Sequence, residues 1–67
     1  MASTGEPVDE TGRLVRDGAG FLLRRDAGGT YRLVLLRVPV DHVEKHVRVR
    51  GCRVEGDVVE VEGVSTL

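Results

Sequence analysis

The stretch HVEKHVRVRGCRVEGDVVEVEGV, residues 42–64, decides the fold. Valines alternate with arginines in its first half and with glutamates in its second half. An alternation of period two is typical of a strand that buries one face. We therefore predict a β-hairpin of two strands, 47–54 and 58–64, which turns at residues 55–57.

The charges of this hairpin favour one register. With a three-residue loop, Arg50 lies opposite Glu62, and Arg48 lies near Glu60 on the same face. Opposite charges across neighbouring strands contribute about 0.2–1 kcal/mol each. Gly51 interrupts the alternation, and a glycine inside a strand indicates a bulge or a sharp bend, as at the corner of a small barrel.

Three further strands are predicted before the hairpin, at 11–16, 21–25 and 30–38, with glycine-rich turns between them. Residues 40–46 link the third strand to the fourth through one turn of helix. Five short strands with glycine bends predict an all-β fold. We expect a small five-stranded OB-like barrel with a reduced helical link between strands three and four, and an SH3-like barrel is the alternative.

The turn between the second and third strands determines which side chains share a face. With residues 27–29 as a three-residue loop, Phe21 lies opposite Leu35 and Leu23 opposite Leu33, which gathers these apolar residues on one face. The opposite face then carries the residues of the predicted binding site: Leu22, Arg24, Arg32, Val34 and Leu36.

Two features of this second face suggest binding. In the chosen register Arg24 and Arg32 are direct cross-strand neighbours, which is unfavourable for stability, and their guanidinium groups suit a carboxylate or a phosphate. The apolar side chains between them are of the kind that marks an interface. We expect a non-catalytic interaction module that binds a protein partner or itself. A weak oligonucleotide-binding domain is the alternative.

The parity of the strands also predicts the core. Ten residues point into one barrel: Leu14, Phe21, Leu23, Leu33, Leu35, Val43, Val47, Val49, Val59 and Val61. Because the chain has only 67 residues, this core is small, and stabilisation by a partner or a second copy follows as a hypothesis.

The chain divides into a tail and one domain. Residues 1–10, MASTGEPVDE, are small, polar and acidic, so we expect a disordered tail, and 11–67 form a single domain. We find no signal-peptide pattern and no apolar stretch of about 18 residues that could span a bilayer. We therefore expect a cytoplasmic protein that does not associate with membranes.

Candidate chemical sites are weak. His42, His46 and Cys52 supply three zinc ligands without a fourth, so we expect no metal and no cofactor. Nothing in the sequence orients a nucleophile, and we expect no enzymatic activity. The net charge of -1 and the two aromatic residues, Phe21 and Tyr31, both placed inward, argue against strong nucleic-acid binding.

Gly12-Arg13-Leu14, the leucine-rich third strand and the segment HVEKHVRVRG at 42–51 resemble small bacterial OB-like domains. Many of these read h-V-G-K-x-V-x-V-x-G before a final hairpin, and Glu44 stands here where many relatives have glycine. The stretch 11–64 resembles one uncharacterised family of short bacterial proteins of this kind. The resemblance implies a fold and no activity.

Overall fold

The computed structural model describes residues 5–36 and 40–67. Five strands form a closed barrel in the order β1-β2-β3-β5-β4. The strands are β1 (Pro7–Asp17), β2 (Gly20–Arg25), β3 (Thr30–Val34), β4 (His46–Glu55) and β5 (Val58–Thr66), with one 3-10 turn, Val40–His42, between β3 and β4. The prediction of a small all-β domain with five strands and a short helical link is confirmed.

The connections between the strands make a Greek key. β1, β2 and β3 follow one another as antiparallel neighbours, and β4 returns across the barrel to pair with the other side of β1. β5 then closes the ring, antiparallel to β4 and parallel to β3. Three consecutive strands with a fourth that returns beside the first are the defining arrangement of this motif.

The inner faces of all five strands form one core. Seven of the ten predicted core residues are buried, and the other three, Leu35, Val43 and Val61, are half-buried and pack against them. The buried set contains one residue outside the prediction, Val8. The core prediction is therefore confirmed, except that it did not include Val8 near the start of β1.

The expected disordered tail is wrong for residues 7–10. β1 begins at Pro7, and its first half pairs with β4 in a register that places Val8 opposite Gly51. A polar, acidic stretch can still form a strand when a neighbouring strand satisfies its backbone groups. Val8 is the apolar residue of this stretch, and its side chain joins the core. Residues 1–4 of the expected tail lie outside the described residues.

β1 bends so that it pairs with β4 at one end and with β2 at the other, and Gly12 lies where the two pairings overlap. A Cβ atom at Gly12 would lie 2.2 Å from the backbone oxygen of Arg24. At Gly51 in β4 a Cβ atom would lie 2.0 Å from the backbone oxygen of Glu60. The strand register shifts beside Gly51, so the predicted bulge there is confirmed.

The register of the β2–β3 hairpin differs from the predicted one by two residues. Arg24 pairs with Thr30, and Arg32 pairs with Leu22, so Arg24 and Arg32 are not direct cross-strand neighbours. The turn begins one residue earlier than predicted, because Arg25 donates its backbone N–H to the carbonyl of Gly29 and accepts from the N–H of Gly28, both at 3.0 Å. Asp26 donates its backbone N–H to the carbonyl of Thr11 in β1, at 2.9 Å. A shift of two residues keeps every side chain on its predicted face.

The register of the β4–β5 hairpin also differs from the prediction. Glu55 pairs with Val58, which leaves a turn of two residues, and the register shifts twice along the hairpin. Arg48 and Arg50 consequently lie opposite Ser65 and Gly63 instead of facing Glu60 and Glu62. The predicted ion pairs between these two strands are therefore wrong.

β3 is short, and the link that follows it returns to the barrel at Leu14. β3 ends at Val34, earlier than predicted, and residues 37 and 38 of its expected continuation lie outside the described residues. The link rejoins the barrel where Glu44 donates its backbone N–H to the carbonyl of Leu14, at 2.6 Å. Glu44 has a φ of 66°, a conformation that favours glycine.

Candidate interaction face

The outward side chains of β2, of β3 and of β5 as far as Glu62 form one surface, which we call the outer face. Leu22 of β2 lies between Val15 of β1 and Arg32 of β3, and Val58 of β5 continues this row on the far side of Arg32. The neighbouring residues Leu23, Leu33 and Val59 of the same strands are buried. Side chains alternate along a strand, and the row therefore points away from the core.

One end of the outer face is basic. Arg24 lies directly opposite Arg13 of β1. Arg32 of β3 lies opposite Leu22, the residue two before Arg24 on β2. The Nη1 atom of Arg13 donates a hydrogen bond to the backbone oxygen of Glu44 at 2.8 Å. The side-chain carboxylate of Glu44 lies 3.8 Å from the same nitrogen. Within the described part of the chain, neither Arg24 nor Arg32 forms an ion pair. Both guanidinium groups are therefore available to an external anion.

The other end of the outer face is acidic. Glu60 lies opposite Val34 in the parallel pair of β3 and β5, and Glu62 follows it at the bulge of β5. Cys52 of β4 pairs with Glu60, and its Sγ atom lies 3.8 Å from a carboxylate oxygen of Glu62. Burial and the charge of Glu62 raise the pKa of the Cys52 thiol, which favours the protonated thiol over the thiolate nucleophile.

Apolar side chains lie between the two charged ends. Val34 is 47% exposed, and Leu36, just beyond the end of β3, is 96% exposed. Both residues line two neighbouring hollows of about 350 and 450 Å³. The larger hollow is completed by Glu60, Val61 and Glu62. An apolar surface of this kind with charged surroundings is typical of a protein-contact site.

The five predicted binding residues lie along one side of the barrel, although their neighbours differ from those expected. Leu22 is half-buried, and Arg24, Arg32, Val34 and Leu36 are exposed. Sequence reasoning missed Glu60 and Glu62 as members of this surface, because it paired them with the arginines of β4. The signal that would have found them is the parallel pairing of β3 with β5, which connects residues far apart in the chain.

The candidate metal ligands bind different partners. The Nδ1 atom of His42 lies 2.8 Å from the hydroxyl of Thr66, and the Nε2 atom of His46 lies 2.6 Å from a carboxylate oxygen of Asp26. Among residues 5–36 and 40–67, no group of three or more metal-ligating side chains is suited to hold a metal ion. These two histidines therefore belong to separate surface contacts.

The aromatic residues are directed away from the outer face, as predicted. Phe21 is buried in the core, and Tyr31 packs half-buried against it. The guanidinium carbon of Arg25 lies 4.6 Å from the centre of the Tyr31 ring. Nucleic-acid bases usually stack on exposed rings, and neither ring is presented for such stacking.

No helix in the described parts of the chain is long and apolar enough to cross a membrane. Comparison with curated proteins and with solved structures gives no match. A family model described as a protein of unknown function, DUF5818, matches residues 11–67. The match covers nearly the whole barrel and agrees with the expectation of an uncharacterised family. This chain therefore belongs to the DUF5818 family.

Proposed function

We propose that this protein is a non-catalytic, OB-like interaction module of the bacterial cytoplasm, which binds a protein partner through the outer face. The observation that carries the proposal is the exposure of Leu36 and Val34, at 96% and 47%, beside hollows lined by their own side chains. The OB-like assignment is supported by the five-stranded Greek-key barrel. In OB-folds the strand-two and strand-three surface is a common ligand site.

The chemistry of the outer face favours contact with a protein. Protein interfaces combine an apolar centre with a polar rim, and arginine is enriched in them. Leu22, Val34 and Leu36 supply apolar area, and Arg24 and Arg32 supply guanidinium donors beside it. A partner that covers the apolar side chains removes them from water and pairs the arginines with its own carboxylates.

A photo-crosslinking amino acid at position 36 tests this proposal in living cells. We expect a discrete protein adduct from this position, because Leu36 lies on the proposed contact surface. The same crosslinker at Ser65, which is exposed and lies opposite Arg48 on another side of the barrel, is the matched control. A Val34→Asp substitution should abolish the adduct from position 36.

Two results would contradict the proposal. One is the absence of any adduct from position 36. The other is an identical adduct pattern from positions 36 and 65, which would show that contact does not depend on the outer face. Circular dichroism of each purified variant establishes that the barrel is intact before the patterns are compared.

A second candidate function, weak oligonucleotide binding, is favoured by one observation: Arg13 lies opposite Arg24, close to Arg32 on the same face. Fluorescence anisotropy of a labelled oligothymidylate, titrated at several salt concentrations, tests it. Changing Arg24 and Arg32 to Gln should reduce the salt slope by about 1.4 if each contacts one phosphate. Arg16→Gln is the control, and an unchanged slope in the double variant would exclude this binding mode.

A further inference from the structure

The two charged ends of the outer face are arranged in a regular way. Arg32 precedes Val34 on β3, and Glu60 lies beside Val34 on the parallel strand β5. Arg24 lies one strand further out on the basic side, and Glu62 follows Glu60 on the acidic side. The positive and negative pairs therefore lie on opposite sides of Val34.

This arrangement is complementary to itself. A two-fold axis that lies parallel to the sheet and passes beside Val34, between the basic and the acidic end, places each end of one chain over the opposite end of a second chain. Arg32 of one chain then lies over Glu60 of a second chain, and Arg24 lies over Glu62. In an interface with two-fold symmetry each such contact occurs twice, so four charge pairs form around the apolar centre.

We propose that the partner bound by the outer face is a second copy of this chain, related by a two-fold axis beside Val34. This inference rests on the proposed function, for which it names the partner. The charge pattern selects this partner, because a face with charges of one sign would repel its own copy whereas this one attracts it. The net charge of -1 adds little repulsion between whole chains.

A dimer interface needs only a minor part of the surface of the chain. A standard protein interface buries about 800 Å² on each partner, against a total surface of 4463 Å² for this chain. The half-exposed Val34 meets its counterpart at the axis, and Leu36 contributes a side chain that is almost fully exposed in the single chain. Dimerisation also adds buried apolar area to a domain whose own core is small.

Charge reversal with mixing of variants tests the pairing. Sedimentation velocity should show a dimer for the wild-type chain and a monomer for the R24E/R32E chain and for the E60R/E62R chain. An equimolar mixture of these two variants should give a heterodimer, because all four charge pairs are then restored, two with their original signs and two with reversed signs. R16E and D41R, which reverse exposed charges on β1 and on the 3-10 turn, should leave the wild-type dimer intact.

The outcomes separate this inference from the proposed function. A wild-type monomer together with a crosslink from position 36 to another protein overturns the second copy as partner and keeps the interaction module. A mixture that stays monomeric also overturns the pairing. A wild-type monomer without any adduct from position 36 overturns both proposals.

Milder substitutions protect the test against loss of folding. If circular dichroism shows that a charge-reversal chain is unfolded, R24Q/R32Q and E60Q/E62Q replace the reversed pairs. Each neutral pair should raise the dimer dissociation constant about tenfold or more, since close interfacial charge pairs couple strongly. An unchanged dissociation constant in both neutral variants would overturn the pairing.

Discussion

Arg48 of β4 binds Asp9 of β1 through two hydrogen bonds, from Nε to Oδ1 at 2.7 Å and from Nη2 to Oδ2 at 2.6 Å. Both side chains are about half exposed, so the pair contributes little to overall stability. Its two parallel bonds fix geometry instead. They hold the first half of β1, which pairs with β4 before β2 joins it at Gly12, in the register that brings Val8 into the core.

Acid should destabilise the barrel through two aspartates. The hydrogen bond from Arg48 lowers the pKa of Asp9, and the bonds from His46 and Thr11 lower that of Asp26, each below its ordinary value of 3.8. A carboxyl group with a lowered pKa in the folded state stabilises the fold above its unfolded-state pKa. That contribution is lost as the pH falls through the folded-state value. We expect the Tm to fall below about pH 4.

The double variant D9N/D26N tests the acid prediction. Its Tm should be lower than that of the wild type at neutral pH and should change less on acidification, because asparagine does not titrate. D17N, at the start of the β1–β2 turn, is the matched control and should keep the wild-type profile. A double variant that loses as much Tm as the wild type between neutral and acid pH would contradict the assignment.

The Leu33→Ala substitution should destabilise the barrel strongly. Leu33 is 6% exposed and belongs to the core, and removing a buried leucine side chain costs about 2–5 kcal/mol. In so small a domain this loss should leave a large unfolded fraction. Leu36→Ala, three residues away on the exposed segment, should change the free energy of unfolding by less than about 0.5 kcal/mol in dilute solution. Urea unfolding of both variants measures the difference, and equal effects would refute the face assignment.

Alanine substitutions at Gly12 and Gly51 should destabilise the barrel, whereas the same substitution at Gly63 should be tolerated. Added Cβ atoms at Gly12 and Gly51 meet backbone oxygens at 2.2 and 2.0 Å. These contacts require backbone movement, with a cost of at least about 1–3 kcal/mol. A Cβ atom at Gly63 meets no atom within 4 Å, so Gly63→Ala is the matched control. Thermal melting of the three variants checks the order, and a Gly63 variant as unstable as the others would contradict it.

Glu44→Gly should stabilise the protein. Glu44 adopts a φ of 66°, which costs a non-glycine residue about 1–2 kcal/mol. The substitution also removes the exposed ion pair with Arg13 and adds flexibility to the unfolded chain, each a smaller loss. We expect a net gain of about 1 kcal/mol or less. Chemical denaturation measures this gain.

Two further variants isolate the backbone effect at position 44. Glu44→Gln removes the ion pair with Arg13 and keeps the strained conformation, so it should be neutral or slightly destabilising. Lys45→Gly adds flexibility at a neighbouring position without a positive φ and should destabilise. A Glu44→Gly chain that is less stable than Glu44→Gln would show that the conformation of this link carries no strain.

The faces of the strands followed from the sequence because only parity determines them. Leu23 and Leu33 remain inside, and Arg24 and Arg32 remain outside, although the hairpin register differs by two residues. The register itself depends on Asp26, whose carboxylate accepts hydrogen bonds from Thr11 and His46. These contacts join the turn after β2 to β1 and β4, and no local pattern in the hairpin indicates them.

The composition of the site was harder to predict than the core. Glu60 and Glu62 appeared to complement Arg48 and Arg50, because a regular hairpin would bring them together. The two bulges shift that register, and Arg48 binds Asp9 instead. Bulges arise where the barrel curves, so an argument limited to one hairpin had no means of placing these glutamates beside Val34.

The parallel contact between β3 and β5 extends over only three residue pairs, from Arg32 opposite Val58 to Val34 opposite Glu60. Local opening of the ring should therefore begin at this short seam, and its amide protons should exchange with deuterium faster than those between β1 and β4. The outer face straddles the seam, since Val34 and Glu60 lie on its two sides. A partner bound to the outer face contacts both strands and therefore opposes their separation. Binding should slow deuterium exchange at the Arg32 amide, which donates to the carbonyl of Asp57 at 2.8 Å.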